Sequence, residues 1–131
     1  MRCLLDTCVL IWFFEGSRRI PDSVRDALTD PTSDLYMSDV SALELVIKHA
    51  MGRFPALRPP SRWLLPLARR HSIEVLPLVT DAIFRMESLP PLHKDPFDRL
   101  LVAQSLAHRL RLVTPDPLIR QYDVGVLWGK D

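Results

Sequence analysis

Hydrophobic and polar positions alternate along this chain in blocks that predict short buried strands followed by helices. Cys3–Leu5 reads as a buried strand, and the apolar run continues through Phe14. This twelve-residue run, apolar but for Asp6 and Thr7, is too long for one strand, so Thr7–Phe14 is predicted to be helical. Pro21 opens a helix to about Thr29, which Asp30-Pro31 ends. Leu35–Met37 is a second strand. Ser38 caps a helix over Asp39–Met51, with Gly52 as its stop. Arg53–Pro60 reads as a loop and Ser61–His71 as a helix kinked at Pro66. Glu74–Leu78 is a third strand, and Thr80 caps a helix to about Ser88. Leu89–Lys94 is a loop. Asp95 caps a long helix to Arg109, with Pro96 at the favoured first position. Leu112–Thr114 is a fourth strand, Asp116-Pro117 opens a short helix, and Val124–Leu127 is a fifth strand.

Strands alternating with helices predict an α/β fold, a parallel sheet of about five strands covered by helices on both faces. At 131 residues, with no repeat or linker, the chain is predicted to be one domain over residues 1–131. In such sheets function sits beyond the carboxyl ends of the strands, where the strand order reverses. Asp6 directly follows the first strand and Asp116 closely follows the fourth.

Asp6 is the one charged residue between Cys3 and Phe14. A lone buried carboxylate is costly, so it must be paired, hydrogen-bonded or metal-bound. Three more acids stand at comparable places. Glu44 falls at the edge of an apolar arc made by Val40, Leu43, Ile47, Ala50 and Met51, and Lys48 lies one turn on. Asp95 and Asp98 open the long helix, whose sides are apolar nearly all round. Each acid taken singly is compatible with a structural role, as a helix cap or a surface ion pair. Jointly, Asp6, Asp98 and Asp116 fall at strand ends or helix starts that a parallel fold gathers on one edge, and Glu44 lies a turn and a half into the helix after the second strand. Two carboxylates 4 Å apart repel by about 4 kcal/mol at an effective dielectric near 20. A divalent cation removes that cost, and oxygen donors select Mg²⁺ or Mn²⁺ over zinc. Phosphodiester hydrolysis is the reaction class that suits such a centre.

Composition narrows the classes. Apolar residues make up 47%, charged residues 25%, and the net charge is +1, so no overall basic field points to nucleic acid. Arginine supplies 14 of the 17 basic residues. That bias fits phosphate recognition, and it fits a G- and C-rich coding sequence equally well. Cys3 and Cys8 sit too close, in too apolar a run, to form a disulfide scaffold, which suggests a reducing, cytoplasmic setting. The N-terminal stretch does not read as a signal peptide. No stretch reaches the ~20 apolar residues of a membrane span.

The segments LLDTCVLIW, SALELVIK, HKDPFDRLLVAQSL and LVTPDPLIRQYDV resemble the signature segments of PIN domains. The likeness is nearest to the small VapC-type toxins of bacterial toxin–antitoxin pairs, and it runs the length of the chain in order. The resemblance implies a three-layer α/β/α sandwich with strand order 3-2-1-4-5. It implies an acidic site of Asp6, Glu44, Asp98 and Asp116, with Thr114 and Asp95 in support. It also implies a Mg²⁺- or Mn²⁺-dependent endoribonuclease that cuts RNA, is inhibited by a cognate antitoxin protein and forms homodimers. Arg53, Arg58, Arg62, Arg69 and Arg70 are candidates for gripping the RNA backbone, or else solvated surface charge. His93 precedes the acidic motif with no metal-ligand spacing to another histidine. Cys8 is expected to be inert.

Two other classes compete. An aspartyl phosphatase would place a second acid two residues after its nucleophile, where this chain has Cys8. A receiver-like, non-catalytic Mg²⁺ module would want a lysine after its last strand, which Lys130 could supply, but it leaves Glu44 and the DPFDR segment without a task.

Overall fold

The structure is a computed structural model, and it describes residues 1–53 and 58–129. Its five strands are β1 (Arg2–Leu5), β2 (Asp34–Ser38), β3 (Ile73–Leu76), β4 (Arg111–Val113) and β5 (Val126–Leu127). Its α-helices are α1 (Thr7–Glu15), α2 (Asp22–Thr29), α3 (Asp39–Ala50), α4 (Leu64–Arg70), α5 (Thr80–Arg85) and α6 (Pro96–His108). The strands form one sheet of order β3-β2-β1-β4-β5, and every pairing is parallel. This is the expected 3-2-1-4-5 order. β1 lies at the centre, with Leu4 opposite Tyr36 on one side and Leu112 on the other.

Central position explains the composition of β1. Cys3, Leu4 and Leu5 have no exposed surface, because a strand covered on both faces has no polar side. Successive side chains point to opposite faces. Cys3 and Leu5 join a cluster with Val9, Val24, Leu28 and Leu64, which brings α1, α2 and α4 to one face. Leu4 joins Leu101 and Val102 of α6, and Leu110 just after it, on the other. α3 contributes Leu45 to the first cluster and Val40 to the second. The three-layer sandwich follows from that alternation.

Caps set several element ends. Asp6, Ser38 and Asp95 each accept a backbone N–H at a helix start, and Gly16 ends α1 at a φ of 65°. At positive φ a side chain is strained, so glycine is the natural stop there.

Several expectations need correction. The Ser61–His71 helix is not one kinked helix. A 3₁₀ turn at Pro60–Arg62 gives way at Trp63, and α4 starts afresh at Leu64. Pro66 therefore sits in the first turn of α4, where its missing N–H has no intrahelical partner to lose. Thr80 makes no side-chain cap. Val79 holds the capping position, and the helix tightens to a 3₁₀ turn at Met86–Ser88. β3 runs Ile73–Leu76, earlier than expected, and stops before Pro77, which cannot donate to a ladder. After Asp116-Pro117 the chain makes only a 3₁₀ turn, Ile119–Gln121. The loop expected over Arg53–Pro60 lies partly outside the described residues.

α3 is also turned differently from the expected wheel. Its buried residues are Val40, Ser41, Glu44 and Leu45, so Glu44 belongs to the inner face and not to its edge. Leu43 and Val46 are each 50% exposed, with Ile47 and Met51 also at the surface.

One buried polar tie joins the layers. Ser38 Oγ accepts the Val40 N–H and donates to Gln104 Oε1, and neither side chain touches solvent. Gln104→Ala leaves the Ser38 hydroxyl without its acceptor and is expected to cost about 1–3 kcal/mol. Urea denaturation would show it as a lower midpoint, while exposed Gln121→Ala leaves the midpoint in place. Equal midpoints for the two variants would contradict the role given to Gln104.

Candidate active site

The sheet order puts the carboxyl ends of β1 and β4 side by side, and the acids converge there. Asp6 ends β1 and caps α1. Its Oδ1 accepts the Thr7 N–H at 2.7 Å, and its Oδ2 accepts the Thr114 hydroxyl at 2.7 Å. Thr114 follows β4 and is fully buried. The same Thr114 oxygen also accepts the Asp116 N–H at 3.1 Å, which fixes where Asp116 leaves the strand.

Glu44 reaches the same place from α3. Only 7% of it is exposed. Its Oε1 accepts the Thr7 hydroxyl at 2.8 Å, and its Oε2 meets Lys48 Nζ at 2.6 Å. Thr7 Oγ1 is also 2.8 Å from Ser41 Oγ. Thr7 has one hydroxyl proton, which it gives to the carboxylate, so Ser41 donates to Thr7. Glu44 therefore pairs with Lys48, one of the roles weighed for it, and also lines the cavity that Asp6 lines.

Asp98 lies in the first turn of α6 and Asp116 after β4. His93 sits between them, with Nε2 2.8 Å from Asp116 Oδ2 and 3.0 Å from Asp98 Oδ2. Among the described residues, His93, Asp98 and Asp116 form the one group of three potential ligand atoms mutually within 4.8 Å. Asp6 and Glu44 stand outside that tightest group. All four acids, with Asp95, nevertheless line a single cavity of about 410 Å³. Asp95 caps α6, accepting the Phe97 N–H at 2.8 Å.

Electrostatics confirms the crowding. Burial pushes the Asp6 carboxyl up, against the hydrogen bonds from Thr114 and Thr7, and the charges of Glu44 and Asp116 push the same way. Asp98 is pushed up to about 7, by burial first and then by Asp6 and Asp95. The hydrogen bond to Glu44 raises Lys48. Cys8, which also lines the cavity, is pushed up to about 12 by burial and then by Asp6. A thiol so far from ionisation is a poor nucleophile.

The rim of the cavity carries Lys48, Arg53, Ile11 and Trp12. Of the five arginines singled out in the sequence, only Arg53 lines it, and Arg70 lines a separate hollow with Asp30 and His71. Sequence reasoning passed over Thr7 and Ser41, and it noted His93 before the acidic motif without giving it these partners. Thr7 and Ser41 carried a signal. One directly follows Asp6, and the other lies three residues before Glu44, on the same helix face. The place of His93 before the acidic motif was visible, but its pairing with Asp98 and Asp116 was not, because its loop meets α6 and the segment after β4 only in the fold.

The sequence profile of the PIN domain family matches residues 3–125, and the chain belongs to that family. Ribonuclease VapC22 of Mycobacterium tuberculosis is 28% identical over 120 residues, covering 91% of this chain and 90% of that protein. Among solved structures, VapBC2 from Rickettsia felis, bound to a DNA fragment from its promoter, superposes with a TM-score of 0.72. That match is 16% identical and covers 98% of this chain and 100% of the other. A toxin–antitoxin complex from Klebsiella pneumoniae superposes at 0.61, with 20% identity and 95% of each chain covered. These structural likenesses establish the fold.

The raised carboxyls set a pH dependence. Between about 4, where an unfolded Asp ionises, and about 7, folded Asp98 keeps a proton that the unfolded chain has released. The metal-free protein therefore loses stability as pH rises through that window, and the loss levels off above it. Thermal melts in EDTA should show the melting temperature falling from pH 5 to pH 8. Asp98→Asn should flatten that fall. Parallel profiles for the two proteins would contradict the assignment.

Proposed function

We propose that this chain is a divalent-metal-dependent endoribonuclease that hydrolyses RNA phosphodiester bonds, acting as the toxin of a toxin–antitoxin pair. The observation that carries this reading is the convergence of buried Asp6 and Glu44 with half-buried Asp98 and Asp116 on one cavity edged by Lys48 and Arg53. The donor set suits a hard cation, since it is made of carboxylate oxygens already strained by mutual repulsion. Asp6, Glu44, Asp98 and Asp116 would hold Mg²⁺ or Mn²⁺, which lowers the pKa of a bound water and offsets charge on the phosphoryl oxygens.

The protein's own groups prepare that site. Thr114 and the Thr7 amide fix both oxygens of Asp6, and Thr7 with Ser41 fixes Glu44. Lys48 and Arg53 offer cations to a phosphate entering over the rim, and Arg is suited to grip it bidentately. The similarity to a ribonuclease over nine-tenths of the chain supports RNA as substrate.

An antitoxin protein and a second copy of this chain are the partners we propose. The exposed apolar residues of α3 and the likeness to toxin–antitoxin assemblies support protein partners. No helix among the described residues is long and apolar enough to cross a membrane. Cys3 and Cys8 are free thiols, in keeping with a reducing cytoplasm. The phosphatase reading loses support, because the position two residues after Asp6 is the un-ionised Cys8. Lys130, which the receiver-like reading needs, lies outside the described residues.

Purified protein should cleave single-stranded RNA with Mg²⁺ or Mn²⁺ and not in EDTA. Asp6→Asn, Glu44→Gln and Asp98→Asn should each slow cleavage by about 100-fold or more while remaining folded, since each removes a charge from the ion's cage. Cleavage that persists in EDTA, or a wild-type rate for Asp6→Asn, would overturn the proposal.

A further inference from the structure

We propose that His93 is a positioning residue, which donates its Nε2–H to hold Asp116 against Asp98 and does not itself ligate the ion. This rests on reading the acidic cavity as a metal centre. At first sight His93 looks like a ligand, since Nε2 faces two carboxylate oxygens from a side chain only 12% exposed. The other ring nitrogen decides the matter. Nδ1 lies 3.1 Å from the Asp95 backbone nitrogen and accepts its N–H. An amide N–H can only donate, so Nδ1 presents its lone pair. In a neutral imidazole the proton is then on Nε2. A metal ligand needs the Nε2 lone pair, which would move the proton to Nδ1 and set it against the Asp95 N–H. Two donors would face each other in a largely buried place, each without an acceptor.

The arrangement is the reverse of an ordinary ligating histidine, whose far nitrogen donates to a carbonyl or carboxylate. Here the far nitrogen accepts and the near one donates. The backbone of His93 is also held. Its backbone N–H donates to the Tyr122 hydroxyl at 2.9 Å, and Tyr122 is buried. The Asp95 amide that sets the tautomer belongs to the cap of α6, whose side chain binds the Phe97 N–H and which Pro96 follows. The start of α6 thus fixes both Asp98 and the histidine that reaches over to Asp116. Asp116 Oδ1 is taken by the Leu118 N–H at 2.9 Å, so both oxygens of that carboxylate have assigned donors.

The test uses Mn²⁺ as the probe. Pulsed electron paramagnetic resonance of the Mn²⁺-loaded wild type is expected to show no directly bonded nitrogen. Calorimetric titration should show His93→Ala weakening Mn²⁺ binding by about 10-fold or more, the usual consequence of losing a residue that orients a ligand. His93→Gln, whose amide supplies an N–H at similar reach, should recover most of that loss. A bonded-nitrogen signal that disappears in His93→Gln would overturn the proposal. So would Ala binding as tightly as wild type, or Gln binding as weakly as Ala. If His93→Ala fails to fold, the wild-type spectrum still decides whether the histidine is a ligand. A wild type that binds no Mn²⁺ overturns the metal centre itself, an outcome distinct from failure of the His93 assignment.

Discussion

Burying Asp6 at the end of the central strand is the constraint around which this molecule is organised. β1 has no exposed side chain after Arg2, and the chain cannot turn into α1 without placing a carboxylate at the bottom of a cleft. Two hydrogen bonds answer that charge, one from its own helix start and one from Thr114 at the end of β4. The second exists only because β1 and β4 are adjacent. Strand order is therefore what makes the site possible, and the parallel pairing Leu5–Val113 brings Thr114 within reach of Asp6.

The remaining acids are organised in two pairs. Asp6 and Glu44 are linked through Thr7, whose hydroxyl and amide serve one carboxylate each. Asp98 and Asp116 are linked through His93. Lys48 partly balances the first pair from the rim, and the Nε2–H of His93 serves the second. These internal donors tie the acids in place, yet burial first, and neighbouring carboxylates after it, still push Asp6 and Asp98 up. A site in that condition is poised for a divalent cation, and the chemistry proposed for the chain draws on the same imbalance that weakens it without metal.

Much of this was legible in the sequence because it was local. A charged residue inside an apolar run, Asp before Pro at a helix start, and Ser38 before an amphipathic stretch each have a one-step physical explanation. The strand order came from resemblance to a family and agrees with the observed sheet, and the four acids gathered from their places along the chain line one cavity. What could not be read depended on tertiary context. α3 turns Glu44 inward, where the Thr7 hydroxyl, itself held by Ser41, donates to it, and a helical wheel scoring apolarity alone cannot see that. Pro66 looked like a kink because the break at Trp63 was not foreseen. His93 acquires its partners from a loop, from α6 and from the segment after β4, which only folding brings together.

The central claim is that the clustered carboxylates are tolerable because a doubly charged ion binds among them. Thermal unfolding of the wild type and of Asp6→Asn at pH 8, each with EDTA and with excess Mn²⁺, tests it most directly. An ion bound only by the folded state raises the melting temperature. The account predicts a clear Mn²⁺-dependent rise for the wild type, with little or none for Asp6→Asn, and a higher metal-free melting temperature for the variant. A wild type indifferent to Mn²⁺, or an Asp6→Asn protein stabilised by it to the same extent, would contradict the account.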